Sequence, residues 1–320
     1  MGAEARAAVP ALIAMLQDKS SLFRWSAARG LGEIGAEARA AVPALIAIFQ
    51  DETEDLGLRS RAAGALGKIG AEAKRAVPAA IAMLQHEDLE LRDSAILLLG
   101  GIGPEARDAI PALLAILDGK NPDLRESAAY ALGKIGAETE AVVPALIAAA
   151  LQDKDASVRD RAARALGRSR GDAKTVVPAL IAALEDRNQH VRWSAALALE
   201  EIGAAAVEAI PALIGALGQD DYGHVRWTAA EALGKMGTAA QASIPGLIEA
   251  LQDGNSRVRE EAAIALSKLV AALYKAAETP EQLEETEKTV LTVRQALQNT
   301  NFEATKEKVR RTLQAIQSDR

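Results

Sequence analysis

One feature of the sequence constrains its fold before any other: two residue types recur together with a long, fixed step. Proline stands at Pro10, Pro43, Pro78, Pro111, Pro144, Pro178, Pro211 and Pro245, at steps of 33 or 34 residues with a single step of 35. Arginine keeps the same register at Arg24, Arg59, Arg92, Arg125, Arg159, Arg192, Arg226 and Arg259. Composition alone does not hold two residue types in phase over eight periods, and a period of this length marks stacked supersecondary units. Each period reads Gly-Ala-Glu-Ala-x-x-Ala-Val-Pro-Ala-Leu-Ile-Ala-x-Leu-x-Asp, then x-Val-Arg-x-x-Ala-Ala-x-Ala-Leu-Gly-x-Ile-Gly.

The second half of each period places apolar residues at helical steps; in the sixth they are Val191, Ala195, Ala198, Leu199 and Ile202. The first half predicts a helix through Pro-Ala-Leu-Ile-Ala-x-Leu. Its proline fits only near the first turn or as a kink, after a short turn such as that from Ala3 to Ala7. Asp51, Asp118, Asp153, Asp186 and Asp253 end the first helix and open the turn to the second. Gly35, Gly70, Gly103, Gly136, Gly203 and Gly237 stand where the chain must turn out of the second helix. No segment alternates with period two. The expected fold is all-α, in eight helix pairs, and an aromatic content of 3% suits close-packed helices better than large globular cores.

The Pro-Ala-Leu-Ile helix, the Asp-x-x-x-Val-Arg turn and the Ala-Ala-x-Ala-Leu-Gly-x-Ile-Gly helix resemble HEAT repeats, specifically the bacterial, phycobilisome-lyase-like subtype. The resemblance covers about residues 2 to 270. It implies a right-handed α-α superhelix, an α-solenoid, whose second helices line the concave face. It also implies a buried polar ladder in which a turn Asp and the helix Arg join successive repeats. His86 in the Asp position breaks the ladder pattern in the third repeat, and Arg170-Gly171 breaks the closing-glycine pattern in the fifth.

Residues 1–270 are accordingly expected to form the repeat array and residues 271–320 a C-terminal helical cap. Gly2 sits where the closing glycine of a preceding repeat belongs, so the chain is expected to be a fragment of a longer array or an array without an N-terminal cap. Val270 replaces the last glycine, and the eighth second helix is expected to run on to about Ala277. Thr279-Pro280-Glu281 predicts an N-cap with proline at N1. The helix after it presents Leu283, Val290, Val293 and Leu297 on one face, and another from about Asn301 presents Phe302, Val309, Leu313 and Ile316. Such a hairpin would cover the apolar flank of the terminal repeat.

The chemistry of the chain is sparse. With no cysteine there is no disulfide framework and no thiolate site. The longest apolar run, Ala141 to Leu151, is 11 residues, about half of a bilayer span. The N-terminus carries no apolar signal core, so a cytoplasmic chain without a membrane partner is expected. The three histidines, His86, His190 and His224, form no His-Glu-x-x-His pattern. HEAT-repeat di-iron hydroxylases imply several His-Glu pairs, and only His86-Glu87 is present. Glycine pairs such as Gly32-x-x-Gly35 close helices, where the dipole has the wrong sign for an anion. Neither an enzyme nor a metal or cofactor site is expected.

The Val-Arg anchor of each second helix puts the residues one, five and nine positions after the arginine on its expected concave surface. These are Trp25, Arg29, Glu33; Ser60, Gly64, Lys68; Asp93, Leu97, Gly101; Glu126, Tyr130, Lys134; Asp160, Arg164, Arg168; Trp193, Leu197, Glu201; Trp227, Glu231, Lys235; and Glu260, Ile264, Lys268. Seven are basic and seven acidic in a chain of net charge −7, which disfavours nucleic acid as a partner, although Arg161, Arg164, Arg168 and Arg170 make the fifth repeat locally basic. All three tryptophans occupy the first of these positions. Because other repeats carry Asp or Glu there, the position is expected to be exposed, and exposed tryptophan is a hot-spot residue. Trp193, Leu197 and Trp227, with His190, His224 and Tyr222 beside them, are expected to form one patch, with Trp25 too distant to join it. The expected function is a non-catalytic, monomeric scaffold that binds a protein or peptide, as the sensor or adaptor segment of a larger bacterial protein. The alternative that the subtype resemblance implies is a phycobilin lyase-type subunit binding a linear tetrapyrrole.

Overall fold

A computed structural model describes residues 2–19, 23–136, 140–168 and 173–298. Among them every regular element is helical. The helix expected from Asn301 onward and the Arg170-Gly171 position lie outside the described residues. Contacts divide the chain into two compact units, Met1–Leu166 and Gly167–Arg320.

The N-terminal unit contains α1 (Gly2–Gln17), α2 (Arg24–Ile34), α3 (Val42–Gln50), α4 (Leu56–Ile69), α5 (Val77–Met83), α6 (Leu89–Ile102), α7 (Ile110–Leu117), α8 (Pro122–Gly136), α9 (Val142–Gln152) and α10 (Ala156–Leu166). The C-terminal unit contains α11 (Ala173–Ala183), α12 (Gln189–Ile202), α13 (Ile210–Gln219), α14 (Gly223–Lys235), α15 (Ile244–Ala250), α16 (Ser256–Ala276) and α17 (Pro280–Gln298). Each odd helix up to α15 packs on the even helix that follows it. Even helices also pack on one another, α2 on α4, α4 on α6, α6 on α8 and α8 on α10 in one unit, and α12 on α14 and α14 on α16 in the other. This consecutive packing is that of an α-solenoid, and the eight expected pairs are all present.

The turn before each proline helix is a seven-residue 3-10 helix in five repeats, Gly35–Ala41, Gly70–Ala76, Gly103–Ala109, Gly203–Ala209 and Gly237–Ser243. Proline then falls at the first or second position of α3, α5, α7, α13 and α15, where its missing N–H costs nothing. In the first repeat the expected turn at Ala3 to Ala7 is helical, and Pro10 lies inside α1. Five closing glycines carry φ between 63° and 74°, a conformation that a side chain disfavours. Gly136 departs from that expectation and is the last residue of α8.

The ladder has a definite geometry. In a complete rung the arginine ties its own turn through a main-chain carbonyl and the next turn through a carboxylate, as Arg24, Arg125, Arg192 and Arg226 do. Arg192 donates to the Asp186 carbonyl at 3.0 Å and, through two nitrogens, to both oxygens of Asp220 at 2.6 and 2.9 Å. Arg226 does the same to the Asp220 carbonyl and to Asp253, and Arg125 to the Gly119 carbonyl and to Asp153. The accepting carboxylate lies six residues before the next arginine and also accepts the N–H two residues on, from Tyr222, Asn255 or Asp155. Burial pushes Asp153, Asp220 and Asp253 up, but the arginine hydrogen bonds, those N–H groups and the guanidinium charge together hold all three below the usual carboxylate range.

This rule corrects three expectations. Asp51 is not a rung: it accepts from Thr53 within its own turn, and Glu54 takes the bidentate contact from Arg24 at 2.7 and 2.8 Å. Asp118 is exposed and one residue out of register, so position six before Arg125 is Gly119 and Arg92 Nε is buried without a partner. Asp220, which is a rung, stands at the correct step but was not among the turn residues expected. The break at His86 is as expected. Arg59 donates instead to the Phe49 carbonyl and to the sulfur of Met83.

Eight residues after the arginine, a glycine lets consecutive second helices touch. A Cβ built on Gly133 would lie 2.5 Å from Ala165 Cβ, and one on Gly234 would lie 2.9 Å from Ala265 Cα. The sixth repeat has Glu200 there, buried and ion-paired with Lys235 of the seventh. At the C-terminal end α16 passes through residue 270 without a break and ends at Ala276. Thr279 caps α17, accepting from the Gln282 N–H, and Val290, Val293 and Leu297 are buried where α17 packs on α16.

Candidate functional site

The three outward positions of each second helix form the surface on which a site can be built. None of the twenty-four residues is buried. Their exposure is graded, however. Trp25 is 44% exposed, whereas Trp193 and Trp227 are half-buried, as are Ser60, Asp93, Glu126, Asp160 and Glu260 at the same position. The expected exposure thus holds for Trp25 alone among the tryptophans.

The reason is a contact across repeats. At Trp25, Asp93, Glu126, Trp193 and Trp227 the residue after the ladder arginine meets a residue two before or two after the arginine of the next repeat, or both. Trp25 lies over Gly57, where a Cβ would fall 2.3 Å from its ring, and under Arg61, whose guanidinium carbon is 5.5 Å from the ring centroid. Asp93 accepts from the Ser127 hydroxyl, and burial with Asp123 and Glu126 nearby raises its carboxyl above the usual range despite that bond. Glu126 accepts from Arg161 at 2.8 Å. Trp193 donates its indole N–H to the Thr228 hydroxyl at 3.1 Å. Asp93 and Glu126 therefore survive at a half-buried position because each finds a donor one repeat on, whereas Glu260 is reached by Arg257 of its own helix. Pairing these sequence offsets would have revealed Arg61, Ser127, Thr228 and Arg257.

In the C-terminal unit the contacts join into an aromatic cluster. His190 meets Tyr222 edge-on at 5.7 Å, Tyr222 stacks on His224 at 4.6 Å, and His224 contacts both Trp193 and Trp227 at 5.4 and 6.1 Å. Arg257 lies over Trp227 at 5.5 Å, and its other nitrogens reach Glu260 and Glu261. Burial raises the carboxyl of Glu261 above its usual range, against the pull of Arg257. Leu197 is half-buried on the same helix as Trp193. The rings of the expected patch are thus brought together, with His224 at the centre in contact with Tyr222 and both tryptophans.

In the N-terminal unit Tyr130 is half-buried, with Arg161 5.7 Å and Lys134 6.0 Å from its ring. Arg168, which falls in the C-terminal unit, is half-buried, as is Arg164 in this one. Here the surface is hollowed. One cavity of about 380 Å³ is walled by Leu97, Tyr130 and Arg161, and another of about 260 Å³ by Trp25, Arg29 and Arg61. Gly64 and Lys68 line both. Among the described residues no group of three or more His, Asp or Glu converges on a point that could hold a metal ion. No described helix is long and apolar enough to cross a membrane.

A row of paired helices, tied by arginine ladders and carrying varied outward residues, defines a helical-repeat scaffold. The chain belongs to the HEAT-repeat family: matches to the family described as HEAT repeats span residues 2–57, 43–133, 77–150, 143–234, 177–267 and 223–300. The phycobilisome-lyase-like subtype is not distinguished by these matches. No curated protein matches the sequence. Among solved structures it is similar to Escherichia coli YibA, at 25% identity over 74% of this chain and 92% of that one, with a TM-score of 0.50. Importin β is similar at 17% identity over 94% of this chain and 46% of that one, with a TM-score of 0.66. So is the karyopherin Kap121p bound to the extreme C-terminus of the protein phosphatase Cdc14p, at 18% identity, covering 95% and 37%, with a TM-score of 0.52. This chain spans less than half the length of those two karyopherin chains, and at such identities the likeness is one of fold.

Proposed function

We propose that this chain is a non-catalytic scaffold that grips a protein or peptide on the outward face of its second helices, the face a superhelix makes concave. One observation carries this reading: arginines and seam glycines recur through the repeats, while the outward residues change from repeat to repeat and none is buried. A constant frame with variable, open positions is how repeat proteins separate stability from recognition. The contact set is Trp193, Trp227, Leu197, His190, His224 and Arg168 in one unit, and Trp25, Tyr130 and Arg164 in the other. Kap121p, a chain of the same fold, is bound to the C-terminus of another protein, which favours an extended segment as the occupant.

The likeness to a protein of Escherichia coli supports a bacterial setting, and we assign the chain to the cytoplasm as a monomeric sensor or adaptor segment. A linear tetrapyrrole is the weaker reading, because Tyr222 and His224 already stack on one another at 4.6 Å and fill the slot a flat chromophore would need. The decisive experiment is capture of a purified partner by the wild type and by the Trp193→Ala/Trp227→Ala double variant. The expected result is loss of capture with an unchanged far-UV helical signal. Equal capture by both proteins would remove the aromatic cluster from the contact set.

A further inference from the structure

The N-terminal unit carries a glycine that the fold does not explain. Gly101 is required, since a Cβ there would lie 2.5 Å from the Gly67 carbonyl oxygen where α4 and α6 touch. Gly64, in the middle of α4, is different: a Cβ there would meet nothing within 4 Å. A mid-helix glycine weakens a helix relative to alanine, so packing gives no reason for it. Its effect is visible in the surface. At the same position other repeats carry Arg29, Leu97, Tyr130, Arg164, Leu197, Glu231 or Ile264, whereas Gly64 leaves bare backbone and joins the two cavities into one groove.

The chemistry of the groove is specific. Its floor is apolar, with Gly64, Gly67 and Leu98 beneath and Leu97, 43% exposed, at the side. Tyr130 and Trp25 stand at its two ends. Its charged lining is Arg29, Arg61, Lys68 and Arg161 against Glu90 and Glu126, a net excess of two positive charges in a chain of net charge −7. Arg161 is already paired with Glu126, Arg61 lies over Trp25, and Lys68 has only an exposed contact with Glu33 at 3.4 Å, a weak surface pair, which leaves Arg29 and Lys68 as the cations most open to a partner. A phosphate backbone would meet too few open cations and two carboxylates.

We propose that this groove is an anchor site for an extended acidic segment of a partner protein, which seats one large apolar side chain over Gly64 and lays its flanking carboxylates along Arg29 and Lys68. The inference rests on the scaffold reading and names the partner's chemistry. A cavity of about 380 Å³ has room for one such side chain, and a buried aromatic or aliphatic anchor within a polar rim is how peptide contacts concentrate their affinity.

The test uses the full chain and a fluorescein-labelled peptide with a single Phe between two pairs of Glu, followed by fluorescence anisotropy. Saturable binding is expected, weakened about tenfold or more, or 1.4 kcal/mol, by Gly64→Leu, by Lys68→Glu, or by Ser in place of the peptide's Phe. The Trp193→Ala/Trp227→Ala variant should bind this peptide as the wild type does. Should Gly64→Leu not fold, Gly64→Ala serves, and it should raise Tm while still weakening binding. Absence of saturable binding, equal affinity in all Gly64 variants, or equal displacement by a single-stranded oligonucleotide would overturn the proposal. Loss of peptide binding only in the tryptophan variant would also overturn it, and would leave the scaffold reading standing. Loss of capture by the tryptophan variant bears on that wider reading and not on this groove.

Discussion

The two compact units use the same repeat for different ends. In the C-terminal unit Arg192 and Arg226 both close on carboxylates, and the residues after them are sealed into a cluster of five rings. In the N-terminal unit Arg59 and Arg92 have no acid at the matching step, and the outward face is open around Gly64. A rung joins turn to turn along the row of second helices, while the outward face faces solvent. The two can therefore vary independently. The comparison teaches that a regular frame is no guide to where the surface is open; that depends on single side chains at outward positions.

The sharpest way to break this comparison is at the ladder. Asp220→Ala combined with Asp221→Ala removes both carboxylates from Arg192, whose side chain is only 14% exposed, and should cost about 3 kcal/mol in urea unfolding, the scale of a broken buried pair. His86→Ala, at the equivalent step in the other unit, should cost far less because Arg59 gains nothing from it. Equal losses would show that rung chemistry does not distinguish the units. Next in size is the glycine seam. Gly133→Ala places a methyl group against Ala165 and should destabilise by about 1–3 kcal/mol. Gly64→Ala should instead stabilise by about 0.5–1 kcal/mol, the helix propensity difference. Thermal unfolding of both variants checks the opposite signs.

The smallest contrast lies in pH dependence. Asp153, Asp220 and Asp253 titrate below their unfolded values, so their stabilisation is present above the unfolded carboxylate pKa and is lost as pH falls through the folded one. Asp93 is shifted upward by burial, so its charge opposes folding at neutral pH and protonation relieves that. Asp220→Asn should therefore flatten the acid limb of a stability profile. Asp93→Asn should raise Tm at pH 7 and lose that advantage in acid. An unchanged profile in both variants would remove these shifts as a cause.

Much of the frame was legible in the residues. The period of Pro10 to Pro245 and Arg24 to Arg259 located every helix pair, and the N-cap at Thr279 and the buried face of α17 followed from ordinary capping and periodicity. The candidate site was only half legible. The reasoning that Asp at a position implies exposure failed at Trp193 and Trp227, because Asp93 and Glu126 are held by Ser127 and Arg161 one repeat away. Likewise Glu54 took the rung assigned to Asp51, and Gly119 displaced Asp118, since a one-residue shift in a turn moves a carboxylate out of reach of a guanidinium.

What the sequence by itself determined is periodic and local: helix limits, the step between repeats, the arginine that each turn wraps, and membership of the HEAT class. Those follow from hydrogen bonding and side-chain spacing within some thirty residues. What only the tertiary structure decided is which atoms meet between repeats. It set which carboxylate closes a rung, how far an indole is covered, and whether a missing side chain opens a groove. Each of these turns on distances of an ångström or two between helices that are far apart in the chain, and no local periodicity encodes such distances.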